Sequence, residues 1–301
     1  MTDPIARSAG VAEALAEDRP VVALETSVIG QGLPPPRGAE CIERMDAAIA
    51  SRGALPAWIG VVDGRVTVGL SADELRRFTE PGSVKVARRD LPVAVATRAL
   101  GATTVSATIW AAHRAGIVVA ATGGIGGVHG GSGDVSADLL ELARTPVLLV
   151  CSGPKSIVDP RATAERLEEL GVALVGYRTH RLPFFLVAES EVELEHRVAS
   201  PEEAAEVVRA LRVLEVRSAI LLCNPVPAER AMDAAEVAAA ARACGERAER
   251  EGVRGKDVTP FLLGCMAERT FGASLDANLA LLGSNASLAA EVAVGLADAT
   301  T

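Results

Sequence analysis

Aromatic side chains and lysines are scarce in this sequence, and no part of it is strongly basic. Phe, Trp and Tyr make up 3% of the 301 residues, against 49% for hydrophobic residues as a whole. The core must therefore be built from Val, Leu, Ile and Ala. The formal net charge is −9. An acidic chain without a basic run is poorly suited to grip nucleic acid or an anionic membrane surface. A small phosphorylated ligand is still compatible with it, because a few local donors suffice. None of the five cysteines (Cys41, Cys151, Cys223, Cys244, Cys265) forms a CxxC pair, and zinc-type spacing is absent. Cys151 and Cys223 sit in apolar runs and read as reduced core thiols. The opening residues, MTDPIARSAG, lack an apolar signal segment. No stretch approaches the ~18 apolar residues of a membrane span. A cytoplasmic protein without membrane or nucleic-acid partners is expected.

Only Lys85, Lys155 and Lys256 are lysines among the 30 basic residues. In a composition that favours arginine, each lysine is a candidate for work that a guanidinium cannot do. An ammonium can lose its proton and become a nucleophile, whereas arginine effectively cannot.

Short β-branched runs alternate with longer Ala/Glu/Arg segments. Val21–Leu24, Trp58–Val62, Ile117–Ala121, Val147–Cys151, Ala173–Val175 and Ile220–Cys223 read as buried strands. Gly38–Ser51, Ser71–Phe78, Thr104–Ala115, Ser136–Ala143, Arg161–Gly171, Pro201–Leu214 and Ala231–Glu251 read as helices. This alternation predicts an α/β protein with three α/β/α layers around a mixed, largely parallel sheet. No linker or repeat divides the chain, so residues 1–301 are expected to form one domain, helical from about Ala231.

In open α/β sheets, ligands gather at the C-terminal ends of the strands. Glu25 follows the first strand, Thr122 the third, Lys155 the fourth through Ser152-Gly153-Pro154, and Asn224 the last. The loop Thr122–Asp134 reads TGGIGGVHGGSGD, and seven of its thirteen residues are glycine. Such a loop can bring backbone N–H groups close to an anion, and a helix start after it adds positive potential. It is neither a Rossmann nor a Walker A sequence. Asp134 and Asp138 are candidate oxygen ligands for one hard cation, whereas His113, His129, His180 and His196 have no metal spacing. The run Lys85–Pro92, KVARRDLP, places three cations where a phosphate clamp could form. Each feature has an ordinary alternative: a solvated lysine, a helix cap, a flexible loop or a surface charge cluster.

Taken together, several runs resemble the pseudouridine-5′-phosphate glycosidases, the family that includes the indigoidine-synthase-A-like proteins. They are VVALETSVIGQGLPPP, KVARRDLPVAVA, GATTVSATIWAA, ATGGIGGVHGG, DVSADLLELA, VCSGPKSI, GYRTHRLP, NPVPAERAM, GKDVTPFLL and SLDANLALLGSNA. They follow family order from about Val21 to Glu291. The resemblance implies Glu25 as proton donor, Lys155 as nucleophile, and substrate contacts at Lys85, Val105, Ser136, Ala137 and Asp138. It also implies Asp134 as ligand of a Mn²⁺-type cation, and a homotrimer. The chain departs from the pattern in a short segment between His129 and Asp134 and in Ala107, where a hydroxyl residue is expected. The implied reaction is reversible cleavage of pseudouridine 5′-phosphate to uracil and ribose 5-phosphate through a lysine adduct, part of pseudouridine breakdown. A different Schiff-base sugar-phosphate lyase or aldolase, or a non-catalytic nucleotide-binding accessory protein, would share parts of this pattern.

Overall fold

The computed structural model describes residues 5–129 and 134–297. The strands are β1 (Ile5–Arg7), β2 (Val21–Glu25), β3 (Leu55–Val62), β4 (Arg65–Val68), β5 (Val84–Val86), β6 (Gly101–Thr103), β7 (Val119–Ala121), β8 (Leu148–Cys151), β9 (Ala173–Tyr177), β10 (His196–Val198) and β11 (Ile220–Cys223). The helices are α1 (Ala9–Ala16), α2 (Arg37–Ala50), α3 (Ala72–Phe78), α4 (Leu91–Ala96), α5 (Val105–Ala115), α6 (Ala137–Leu142), α7 (Pro160–Glu169), α8 (Pro201–Val213), α9 (Ala234–Arg250), α10 (Val258–Arg269) and α11 (Ala273–Ala297).

The strands join in one sheet, in the order β1-β4-β3-β2-β7-β8-β11-β9-β10, with β6 on β3 and β5 on β6. Among the described strands, only the β3–β4 and β3–β6 pairs are antiparallel. The expected three-layer, mostly parallel architecture is borne out. Because successive strand side chains point to opposite faces, the sheet carries two cores. Val22, Leu24, Leu148 and Val150 face a layer that includes α2, α8 and α11. Val21, Ala23, Leu149 and Cys151 face a layer that includes α1, α5, α6 and α7.

Several elements escape sequence patterning. β1, β5, β6 and β10 have three residues each, too few to display a period. β3 begins at Leu55, earlier than expected, because Pro56 is tolerated. There β3 pairs only with β2, and β4 joins it from Ile59 onward, so no ladder bond is lost at the missing N–H. α11 corrects the expectation about apolar length: it is long and apolar enough to cross a membrane by those two measures. Its inward face, including Leu281, Leu282, Ala289 and Val292, is buried against α2, α8 and the sheet. The cysteines hold a second surprise. Cys244 of α9 and Cys265 of α10 form a disulfide across 21 residues of chain. Cys151 and Cys223 are free and buried, as read, and so is Cys41.

Candidate active site

Glu25 closes β2 and is only 4% exposed. Its Oε2 accepts a 2.6 Å hydrogen bond from Ser27 Oγ, and its Oε1 accepts one from Thr122 Oγ1. Thr122 follows β7, the neighbour of β2, so sheet register alone brings the hydroxyl to the carboxylate. A buried amide network fixes this rim from behind. Asn285 Nδ2 of α11 donates to Thr122 O at 2.8 Å and Ser152 Oγ at 3.1 Å, and Asn285 Oδ1 accepts from Asn224 Nδ2 at 2.9 Å. Asn224 therefore does not join the reactive groups, contrary to its reading as a rim residue. It ties the end of β11 to α11.

Lys155 leaves β8 through a tight turn. Gly153 has φ +75°, and a Cβ there would lie 2.0 Å from Pro183 O, so only glycine fits. The Lys155 backbone N–H is held by Ile125 O at 3.0 Å, and its side chain reaches the same cleft as Glu25. Lys85 enters that cleft from the middle of β5. Burial, and then the nearby charge of Lys155, push the Lys85 pKa below the ordinary lysine value, while Asp138, Glu25 and Asp134 pull it upward.

The glycine loop works differently from expectation. Its N–H groups at Ile125, Gly126, Val128 and His129 are bonded to Gly153 O, Asp138 Oδ2, Thr163 Oγ1 and Asp134 O. These amides are not an open cradle for phosphate. Instead the loop is stitched to β8, α6 and α7. A Cβ on Gly126 would lie 2.3 Å from Ser136 Oγ, which explains glycine at that point of close approach. Residues 130–133 of the loop, and the Lys256 side chain, lie outside the described residues.

Asp138 is likewise committed to protein donors. Its Oδ1 accepts from Ser106 N and its Oδ2 from Gly126 N, both at 3.0 Å. It thus caps α5 from another element, and its two oxygens are poorly placed to share a cation with Asp134. Ser136 Oγ caps α6 by accepting from Asp138 N at 3.2 Å. The proposed clamp in KVARRDLP also divides. Lys85 and Arg89 line the cleft, but Arg88 turns away to Glu141 at 2.7 Å and lies over the Trp110 ring. Arg88 N donates to Ser106 Oγ at 3.3 Å. Arg88, Ser106, Asp138 and Glu141 therefore close a ring of bonds that fixes α6 against α5.

The cleft comprises two adjoining cavities of unequal size. Glu25, Lys85 and Lys155 line both. Val105, Asp134, Ser136, Ala137 and Asp138 line the larger. The structure thus gathers along one cleft the eight residues that the family resemblance implies. The smaller cavity is walled by Val28, Phe185, Pro260 and Leu263, with polar groups from Gln31, Thr259 and Asn278.

The profile of the family described as indigoidine synthase A like protein matches residues 10–295. The chain belongs to this family. A pseudouridine-5′-phosphate glycosidase of Saccharopolyspora erythraea is 46% identical over 294 residues, 96% of this chain and 97% of the relative. One of Herpetosiphon aurantiacus is 48% identical over 290 residues, 95% and 96% of the two chains. Among solved structures, an indigoidine synthase A-like protein of Thermotoga maritima superposes with a TM-score of 0.90 at 39% identity, covering 97% and 96%. The prealnumycin C-glycosynthase AlnA, solved with ribulose 5-phosphate, gives 0.89 at 38% identity and covers 98% of each chain. The resemblance read from the sequence is borne out.

For this member of the indigoidine synthase A like family, the donor set also bears on metal binding. Among the described residues, no three His, Cys, Asp or Glu side chains gather as a metal cluster. Asp134 lines the larger cavity beside Ser136. One carboxylate in a polar cavity suits a hard, largely hydrated cation rather than a closed protein cage. His129 is a poor cation in its own right: burial lowers its pKa, Asp134 pulls it back up and Lys85 pushes it down. Sequence reading assigned no role to Gln31, Phe185, Thr259 or Asn278. The available signal was two asparagines, Asn278 and Asn285, seven residues apart in a largely apolar helix, hence on one face.

Proposed function

We propose that this protein reversibly cleaves the carbon–carbon glycosidic bond of pseudouridine 5′-phosphate, giving uracil and ribose 5-phosphate. The observation that carries the reading is the meeting of Glu25, Lys155 and Lys85 in one cleft, in a chain whose near-full-length relatives are named for this activity. The ribulose 5-phosphate complex of AlnA supports a pentose phosphate as the sugar half.

The leaving group explains why an amine is used. Uracil departs through carbon, which has no lone pair for an acid to protonate, so the two-carboxylate glycosidase route is closed. Glu25, oriented by Ser27 and Thr122, gives a proton to the ribose ring oxygen as its bond to C1′ breaks. The neutral amine of Lys155 forms a bond to C1′. The nitrogen, cationic once bonded, returns a proton to the Glu25 carboxylate; its lone pair then forms a C=N bond while the C1′–C5 bond breaks, and C5 of uracil takes up a proton. Water hydrolyses the resulting iminium, releasing ribose 5-phosphate and restoring the lysine. Lys85, with Val105, Ser136 and Ala137 along the larger cavity, holds the phosphate and sugar, and Asp138 braces that wall through its bonds to Ser106 N and Gly126 N. Asp134 would hold a Mn²⁺-type cation, which supplies positive charge near the phosphate. The smaller cavity takes the base, and Asn278, 6% exposed with Oδ1 lacking a partner, supplies a polar contact to it. A cytoplasmic homotrimer is part of the proposal. Phe271, 99% exposed in the α10–α11 turn, offers an apolar contact for a neighbouring copy.

The test is direct. With Mn²⁺ present, pseudouridine 5′-phosphate should yield uracil and ribose 5-phosphate, and the reverse mixture should form the C-nucleotide. Release of an aldehyde fragment from the sugar carbon chain, with no uracil, would assign the site to an aldolase instead.

A further inference from the structure

Among the described residues, two buried side-chain oxygens have no hydrogen-bond partner: Gln31 Oε1 and Asn278 Oδ1. Both residues line the smaller cavity, alongside Glu25 and Lys155. A stranded buried acceptor costs free energy comparable to the bond it lacks, so two on the wall of one reactive cavity point to a ligand that donates to them. The orientation of Gln31 is settled by chemistry. Its amide nitrogen lies 3.1 Å from both Ser83 O and Ser83 Oγ. A carbonyl can only accept, so that end of the amide is the NH₂ group, and the unpartnered end is an acceptor. Gln31 sits in Val28–Gly32, a single π-helical turn shortly after Glu25, a local form often found at functional sites.

We infer that Gln31 is a specificity-determining residue whose Oε1 accepts a hydrogen bond from a ring N–H of the base. The inference rests on the reading of the cleft as a pseudouridine 5′-phosphate site. A uracil attached through C5 keeps both ring N–H donors, whereas one attached through N1 keeps a single donor. The Gln31 acceptor, with the Asn278 amide turning its oxygen to the base, matches the first pattern. Gln31 thereby favours the carbon-linked base over aromatic groups that lack a donor at that position.

The experiment pairs a variant with substrate analogues. Gln31→Met keeps the side-chain length but removes the acceptor. Its kcat/KM for pseudouridine 5′-phosphate should fall about ten- to a hundredfold, mainly through KM, since an unpaired polar group on either side is penalised. One of the two N-methylated substrates, at N1 or at N3, should be impaired in the wild type by a similar factor. For that analogue, Gln31→Met should add little further loss. Ser83→Ala, which removes one of the bonds aiming the amide, should act in the same direction but less. Ribose 5-phosphate should raise the Tm of Gln31→Met as much as that of the wild type, because the sugar side is untouched. The inference is overturned if Gln31→Met stays within about twofold of the wild type, if its loss carries over in full to both methylated substrates, or if ribose 5-phosphate no longer stabilises it. A wild type that releases no uracil from the unmodified substrate would remove the underlying reading, a distinct result.

Discussion

The strand-end rim and the helical cap above it were assembled by different rules. On the rim, Glu25, Thr122 and Lys155 each follow an apolar strand, and parallel register of β2, β7 and β8 brings them together. In the cap, Thr259, Pro260 and Leu263 of α10 and Asn278 of α11 meet the cleft only because α9, α10 and α11 pack as they do. The comparison teaches that reactive groups are set by the sheet, while the walls that select and enclose a ligand are set by tertiary packing. Rim substitutions should therefore change turnover with little loss of fold. Cap and junction substitutions should show themselves first in stability or KM.

The largest effect belongs to the rim. Lys155→Arg keeps the positive charge but cannot form the adduct, so kcat should fall by several orders of magnitude while Tm holds. Steady-state kinetics and a thermal melt on the same sample check both halves. An active arginine variant would mean that Lys155 only binds phosphate. Next is the cation site. EDTA, or Asp134→Asn, should abolish most activity, with Mn²⁺ restoring the chelated enzyme but not the variant. Full turnover in metal-free protein would remove Asp134 from that role.

Asn285 joins the two regions, and its variant sharpens the contrast. Asn285→Leu strands Thr122 O and Ser152 Oγ in a dry junction and leaves Asn224 Nδ2 with Ser284 Oγ alone, so stability should fall by about 3 kcal/mol. Denaturant unfolding measures that loss. A drop in kcat without loss of stability would instead place Asn285 among the rim groups. The smallest effect on turnover is expected from the cap disulfide. Reducing the Cys244–Cys265 bond, which closes a 21-residue stretch, should lower Tm by an amount corresponding to roughly 3 kcal/mol and leave kcat nearly unchanged. A large loss of kcat on reduction would mean that α10 must be held by α9 for chemistry.

Legibility followed the same division. Glu25 and Lys155 stand out in the sequence because a polar residue closing an apolar run is a local signal. The glycine loop reads in the sequence as a cradle of N–H groups for an anion, whereas the described N–H groups meet protein acceptors. Which acceptors take its N–H groups depends on Asp138, Thr163 and Gly153, all distant in sequence. Arg88 looked like a partner of Lys85 in binding phosphate because the two are neighbours in KVARRDLP. Its true partner, Glu141, lies 53 residues away. The disulfide had no sequence signal, since 21-residue spacing matches no motif. Gln31 gave none either, because an orphaned acceptor exists only once the surrounding groups are packed.

The covalent bond proposed between Lys155 and C1′ of the sugar phosphate can be captured directly. Borohydride added while the protein and Mn²⁺ are incubated with ribose 5-phosphate should reduce the iminium and leave a stable sugar-phosphate on one peptide. Mass spectrometry should place that added mass on Lys155, and the Lys155→Arg variant should acquire none. An adduct on Lys85 or Lys256, or no adduct in an enzyme that is turning over, would contradict the account.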